Sequence, residues 1–369
     1  MRVAVVGCGA MGAAASWRLS KRGAEVVAYD RFSPPHDRGS THGDSRITRT
    51  AYLEGAFYVP LLQETFPLWR ELEAKTGTEL LTLGGLLTIG AAGSQPVEAT
   101  LTAAREHGLD VSVLEAAEIR KRYRGHVLAD GEIGVLDPQA GFLRPEKAVE
   151  AMTRGIDLRR NAVVTAIEPR AGGVEVTVDG TAEAFDTAVI SAGAWTNDLL
   201  PSLPLTVERQ VMVWLAVQAG DESFSPDRFP AWLREGTAEG DIYGFPSLDG
   251  HSIKLGRHHG GEAVTPETVR RSVTDADLDP LRLFVTRHLR GVTRHVVRSA
   301  VCLYTNTPDE SFIVDMHPES RRIVVLSACS GHGFKFAPVM GDIAADLLLE
   351  GGTRRDISRF AIARFTKTD

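Results

Sequence analysis

Cysteine is scarce: Cys8, Cys302 and Cys329 are the only three in 369 residues. The number is odd and no C-x-x-C spacing occurs, so the sequence offers neither a disulfide framework nor a thiolate metal site. A reducing cytoplasm is the expected compartment. Long apolar runs are also missing. The densest, residues 211–217 (VMVWLAV), stops at Gln218, short of the ~18 residues that span a bilayer. Excess positive charge is absent as well, since 41 Lys+Arg stand against 48 Asp+Glu for a formal net charge of −7. Nothing there attracts nucleic acid or an anionic membrane in general. With 43% hydrophobic and 24% charged residues, the chain reads as a folded globular protein. It is long enough for two domains, and its partners are expected to be small molecules. The start, MRVAVVGCGAMGAAA, has the order of a secretory leader, but Arg18 and Lys21 follow where a helix continues. The last three residues, KTD, are no S-K-L peroxisomal address.

Glycine, by contrast, is plentiful and ordered. Residues 2–6 (RVAVV) form the short β-branched run of a buried parallel strand, and Gly7, Gly9 and Gly12 follow at once. Residues 10–22 are rich in helix formers, Gly23 sits where a C-cap belongs, and a second strand (25–29) ends at Asp30. This is a strand, turn, helix, strand unit with G-x-G-x-x-G at the turn. Its glycines allow close backbone approach, and the helix N-terminus faces a pyrophosphate. Asp30 lies about 20 residues on, where a carboxylate accepts from an adenosine ribose. The motif predicts dinucleotide binding without separating NAD from FAD.

Beyond it, residues 58–75 read as an amphipathic helix, 80–90 as strand and 95–108 as helix. Residues 162–167 and 174–178, with the Asp179-Gly180 turn, read as antiparallel strands, and 187–191 as a parallel one. Strand patterns dominate 208–305 apart from a helical interval at 275–290; a strand at 322–327 and a helix at 338–349 close the chain. The domains are therefore expected to interleave: 1–80, 142–207 and 310–369 in the nucleotide-binding domain, 81–141 and 208–309 in a substrate domain.

Five ordered segments carry a more specific resemblance: DRFSPPHDRGSTHGDSRITR from Asp30, GAWTNDLL (193–200), YGFPSLDGHSIKLGRHHGG (243–261), CLYTNTPDESFIVDMHP (302–318) and CSGHGFKF (329–336). Together with the N-terminal motif they make the chain resemble the monomeric sarcosine oxidase and N-methyltryptophan oxidase family, among the amine-oxidising flavoproteins related to D-amino-acid oxidase. The resemblance covers essentially the whole chain. It implies an α/β (α+β) fold, with a Rossmann-like FAD-binding domain of the glutathione-reductase or hydroxybenzoate-hydroxylase type interleaved with a substrate domain on a large antiparallel sheet. It also implies FAD as cofactor, bonded at its 8α-methyl to the sulfur of Cys302. Cys8 and Cys329 read as small packing residues.

The site residues follow from the same resemblance. His42, Arg46 and Arg49 fall at i, i+4 and i+7, so they share a face if that segment is helical. The family pattern sets Arg46 against the flavin and makes Arg49 and Lys335 the holders of a substrate carboxylate, a fork and a point charge. Lys254 matches the oxygen-activating lysine, a role suited to a fixed ammonium beside a forming anion. His258 matches an active-site histidine, and Tyr243 and Tyr304 match tyrosines of the pocket wall. The helix from about Ala337 is expected to aim its N-terminus at the flavin. Arg257 replaces an aromatic residue of the family, and would alter substrate preference if its guanidinium entered the pocket. The stretch 150–161 looks shortened, far from the chemistry.

The implied reaction is oxidation of the C–N bond of a secondary α-amino acid, sarcosine or another N-methyl amino acid. The resulting imine hydrolyses to an aldehyde and a primary amine, and O2 is reduced to H2O2. A monomer needing only amine and O2 is expected. Oxidation of a cyclic amino acid (proline, pipecolate or a biosynthetic analogue), an amine dehydrogenase with another acceptor, and a non-catalytic flavoprotein are the alternatives; an NAD-linked dehydrogenase has no use for Cys302.

Overall fold

Two sheets with different sequence grammar organise the chain. In the computed structural model, which describes residues 1–327 and 329–365, the strands Asp157–Arg160, Glu25–Asp30, Arg2–Val6, Thr187–Ile190 and Ser320–Ser327 lie side by side in that order and run parallel. Ile313–His317 adds an antiparallel edge. The central strands Arg2–Val6 and Thr187–Ile190 are buried almost throughout, as their unbroken β-branched runs require when both faces are covered. Helices Ala10–Lys21 and Ala337–Leu349 cover one face. A three-stranded antiparallel sheet, Val164–Arg170, Gly173–Val178 and Thr181–Phe185, covers the other. The Asp179-Gly180 turn, with both φ positive, joins the second of these strands to the third. The C-terminal KTD lies outside the described residues.

The first and last helices meet closely because of their small residues. A Cβ at Gly341 would come within 2.5 Å of the Ala14 backbone. Arg18 Nε donates to Asp342 at 2.7 Å and Arg22 Nη1 to Asp346 at 2.7 Å, so the contact is clasped by charge at its rim.

The second sheet is large and almost wholly antiparallel. Its order is Glu262–Val264, Thr206–Val217, Ser252–Arg257, Gly240–Gly244, Ala231–Thr237, Leu86–Ala91, Glu132–Asp137, Ser112–Glu115, with the long strand Val292–Asn306 also paired to Thr206–Val217. Only Ala231–Thr237 and Leu86–Ala91 run parallel. Helix Asp275–His288 packs on this sheet, with Phe284 stacked on Trp232 at 5.5 Å; a capping box of Thr274 and Asp277 starts it. A small sheet of Arg46–Thr48, Gly141–Leu143 and Leu81–Thr82 is separate. Among the described residues no helix is long and apolar enough to cross a membrane.

Residues 42–49 do not meet the condition of a helix. Asp44 has φ 65°, and Arg46–Thr48 pairs as a strand with Gly141–Leu143. An L-residue at positive φ does not continue an α-helix, so His42, Arg46 and Arg49 do not share a helix face.

Candidate active site

Residues from both sheets line one cavity. Gly7, Gly9 and Asp30 form its nucleotide part, Arg46, Cys302 and Tyr304 continue it, and Arg49, Tyr243, His258 and Lys335 belong to it as well. Gly12, His42 and Lys254 are not in that lining but adjoin it, Gly12 against Gly7 and Ser191, Lys254 against Phe245 and His42 within the field of Arg46.

The nucleotide part is shaped by missing side chains. Gly7 has φ 86°, and a Cβ there would sit 2.5 Å from the Ser191 carbonyl oxygen; a Cβ on Gly12 would be 1.8 Å from the Gly7 oxygen. Gly9 supplies no side-chain cap; Ala10 N donates to Thr41 Oγ1 at 3.3 Å, and the amides that follow are left to an anion. Asp30 is buried and accepts from Cys8 N at 2.8 Å and Phe32 N at 2.9 Å, which fixes its carboxylate at the end of the second strand. A cavity with helix-start amides, a buried carboxylate and no room for a Cβ at Gly7 or Gly12 fits an adenine dinucleotide.

Cys302 is buried on Val292–Asn306, opposite Gln210. Arg46 Nη2 stands 3.7 Å from its sulfur and donates to the Ser40 carbonyl at 2.7 Å, which places a fixed cation against the thiol. Lys254 is buried on Ser252–Arg257. Its ammonium donates to the carbonyls of Gly43, at 2.7 Å, and Ser45, and lies 4.2 Å from the centre of the Phe245 ring. Burial and the nearby Arg46 push its pKa well down. His42, buried with Nε2 unpartnered, is held neutral by burial and Arg46, its pKa down at about 3.

The remaining groups gather around Arg49. Its Nη2 donates to both oxygens of Glu54, while Nε and Nη1 are buried with no partner among the described residues. Burial alone would raise the Glu54 carboxyl, but Arg49, His332 and Lys335 outweigh it and hold it at about 2. Lys335 is buried just before helix Ala337–Leu349, and burial with Arg49 nearby brings its pKa down to about 7. Thr65 and Trp69 anchor its carbonyl. His258 Nδ1 lies 3.3 Å from the Tyr304 hydroxyl, with its pKa pushed to about 3 by burial first and His259 second. Tyr243 and Tyr304 titrate well above the ordinary phenol range because they are buried.

Sequence reading assigned no role to four neighbours. Glu54, Tyr52 and His332 complete the surroundings of Arg49 and Lys335. Glu235 lines the cavity, its carboxyl pushed up to about 7 by burial and by Asp241. Glu54 and Tyr52 lie within five residues of Arg49, and His332 sits inside the CSGHGFKF segment; Glu235 carried no local signal. Arg257 stays out of the cavity. Strand alternation turns it from the Lys254 side, and its guanidinium lies over Gly240 and Gly260. Cys329 does more than fill space, since it lines the same cavity.

Comparison with known proteins agrees with this geometry. The model of the family described as FAD dependent oxidoreductase matches residues 2–347, and the chain belongs to that family. It is 38% identical to monomeric sarcosine oxidase of Streptomyces avermitilis, over 97% of this chain and 96% of that protein. It is 37% identical to N-methyl-L-tryptophan oxidase of Yersinia pestis, over 98% of each. Among solved structures it resembles NikD, an unusual amino acid oxidase essential for nikkomycin biosynthesis, with a TM-score of 0.85 at 27% identity over 97% of this chain and 96% of that one. The resemblance read from the five segments is borne out, as is the mixed α/β fold.

Proposed function

We propose that the protein oxidises the C–N bond of a secondary α-amino acid, sarcosine or another N-methyl amino acid, and that the imine formed is hydrolysed to an aldehyde and a primary amine. The observation that carries this reading is Arg49: two buried, unpartnered guanidinium nitrogens in the cavity that also holds Lys335, two cations suited to one carboxylate. FAD, when bound, supplies the two-electron oxidation and passes the electrons to O2, giving H2O2.

In this reading Gly7, Gly9, Gly12 and Asp30 hold the dinucleotide, and Cys302 carries it covalently. Arg49 and Lys335 fix the substrate carboxylate. Tyr243, Tyr304 and His258 wall the amine, and since His258 is neutral and the phenols are protonated, they orient by hydrogen bonding. The substrate enters as the free amine after losing its own ammonium proton, so none of them needs to act as a base. Arg46 supplies fixed positive charge for the anion formed as O2 is reduced, and Lys254, held by two carbonyls that favour its ammonium against burial, adds to it. His42 stands behind them as a neutral support. The names of the relatives support a monomer, and the working division into domains is the interleaved one set out above.

Anaerobic addition of sarcosine, longer N-methyl amino acids, L-proline and L-pipecolate, followed by visible absorbance, tests the reaction. Bleaching by an N-methyl amino acid is expected. Bleaching by the cyclic acids alone would move the assignment to them, and bleaching by none would overturn it. Cys302→Ala should release its flavin on acid precipitation, whereas the unaltered protein should keep it.

A further inference from the structure

The buried Lys335 ammonium has two protein acceptors, the His332 carbonyl at 2.8 Å and Tyr52 Oη at 3.3 Å. A phenol accepts well only when its own proton is committed elsewhere, and His332 decides that. Its Nε2 lies 2.9 Å from the Glu310 carbonyl, which can only accept, so the ring proton is on Nε2. Burial holds this imidazole neutral near pH 7, its pKa down at about 4, which leaves Nδ1 a bare lone pair. Nδ1 stands 2.6 Å from Tyr52 Oη, against 3.3 Å from that oxygen to the His332 carbonyl. The phenol proton therefore goes to Nδ1, and the oxygen's lone pairs are left to Lys335. The same ring lies under both cations, 4.6 Å from the Arg49 guanidinium carbon and 5.0 Å from Lys335 Nζ.

We propose that Tyr52 and His332 are positioning residues, a one-way hydrogen-bond chain from Lys335 through Tyr52 and His332 to the Glu310 carbonyl, which spaces Arg49 and Lys335 for a single carboxylate and keeps Lys335 charged. This rests on the carboxylate role assigned above to Arg49 and Lys335. The charged and titratable groups around Lys335 are Arg49, Glu54, Tyr52 and His332, with His258, His259 and Glu235 acting on Glu54 and Glu235 also on Arg49. Lys335 and Glu235 both titrate near pH 7 and His259 above its ordinary value, but Glu235 and His259 are the same in every variant compared, so a difference between variants in the alkaline limb reads Lys335. Removing an acceptor of its ammonium destabilises the charged form, so its proton leaves at lower pH and anion binding fails sooner as pH rises.

The test is the Kd of methoxyacetate, sarcosine with oxygen in place of N–H, measured on the flavin-loaded enzyme from pH 6 to 9 by perturbation of the visible spectrum. Tyr52→Phe and His332→Leu are expected to weaken binding about tenfold at pH 7.5 and to move its alkaline limb about one unit lower. His332→Asn, whose Oδ1 can take the phenol proton, should restore both. A His332→Leu limb that coincides with wild type overturns the proposal, as does His332→Asn behaving like His332→Leu. Lys335→Met separates the two layers. If it binds as tightly as wild type, the carboxylate assignment fails and the positioning role with it; if it binds weakly while His332→Leu is unaltered, the positioning role alone fails.

Discussion

The cavity is built in two ways. Around the nucleotide the chain uses backbone: glycines that leave no room for a Cβ, amides at a helix start and one carboxylate. Around Arg49 it uses charged side chains from separate segments, two following the small Arg46–Thr48 strand, one on the bulged end of Ala231–Thr237, one just before the last helix. The first construction specifies shape, so a single methyl destroys it. The second specifies charge, with Glu54 offsetting Arg49, so it degrades by degrees when one partner is exchanged for a weaker one.

Gly12→Val should show the sharpest effect. Its Cβ has no place beside the Gly7 carbonyl, and the purified protein should carry less than about a tenth of the wild-type flavin, read from absorbance per chain. A fully yellow variant would break the shape half of the comparison. Arg49→Ala comes next. It leaves Glu54 buried without its partner, a loss on the order of 3–5 kcal/mol where a buried pair is broken, and kcat/KM for the amine found by titration should fall about a thousandfold. Arg49→Lys, keeping charge but not the fork, should fall between; equal loss in both variants would show that shape rules here too. The smallest effect belongs to Glu235. Its folded pKa of about 7 lies above its ordinary value, so the protonated form favours folding and that contribution fades as pH rises from about 4.5 through 7. Glu235→Gln should lose about 1 kcal/mol less than wild type over that range, after allowance for screening through the cavity, measured by chemical unfolding at pH 5 and pH 8.

The same contrast explains what the sequence made legible. The glycine unit with Asp30 could be read because strand, turn, helix and acid are contiguous, and local backbone rules fix their geometry. Lys254, Cys302 and Lys335 were nameable because they sit in segments that resemble a family. For residues 42–49 a shared helix face was left open as a condition, since spacing alone does not reveal that Asp44 turns left-handed and that residues 141–143 compete for pairing. Glu235 was invisible: a carboxylate on a strand is ordinarily solvated, and only the bulge between Arg234 and Thr237 and the approach of Asp241 give it a buried outlook. Arg257 shows the converse, an apparent departure that strand alternation turns away from the cavity.

The clasp of Arg18 and Arg22 on Asp342 and Asp346 has a consequence for biogenesis. The helix that follows the glycine turn finds its neighbour more than three hundred residues later, and the strand Arg2–Val6 waits for Thr187–Ile190. On the ribosome the opening segment is made first yet completed almost last, while the local hairpins of the large sheet can form as they emerge. Flavin capture would then wait for Ser320–Ser327 and Ala337–Leu349, which makes cofactor loading a report on a late step of synthesis.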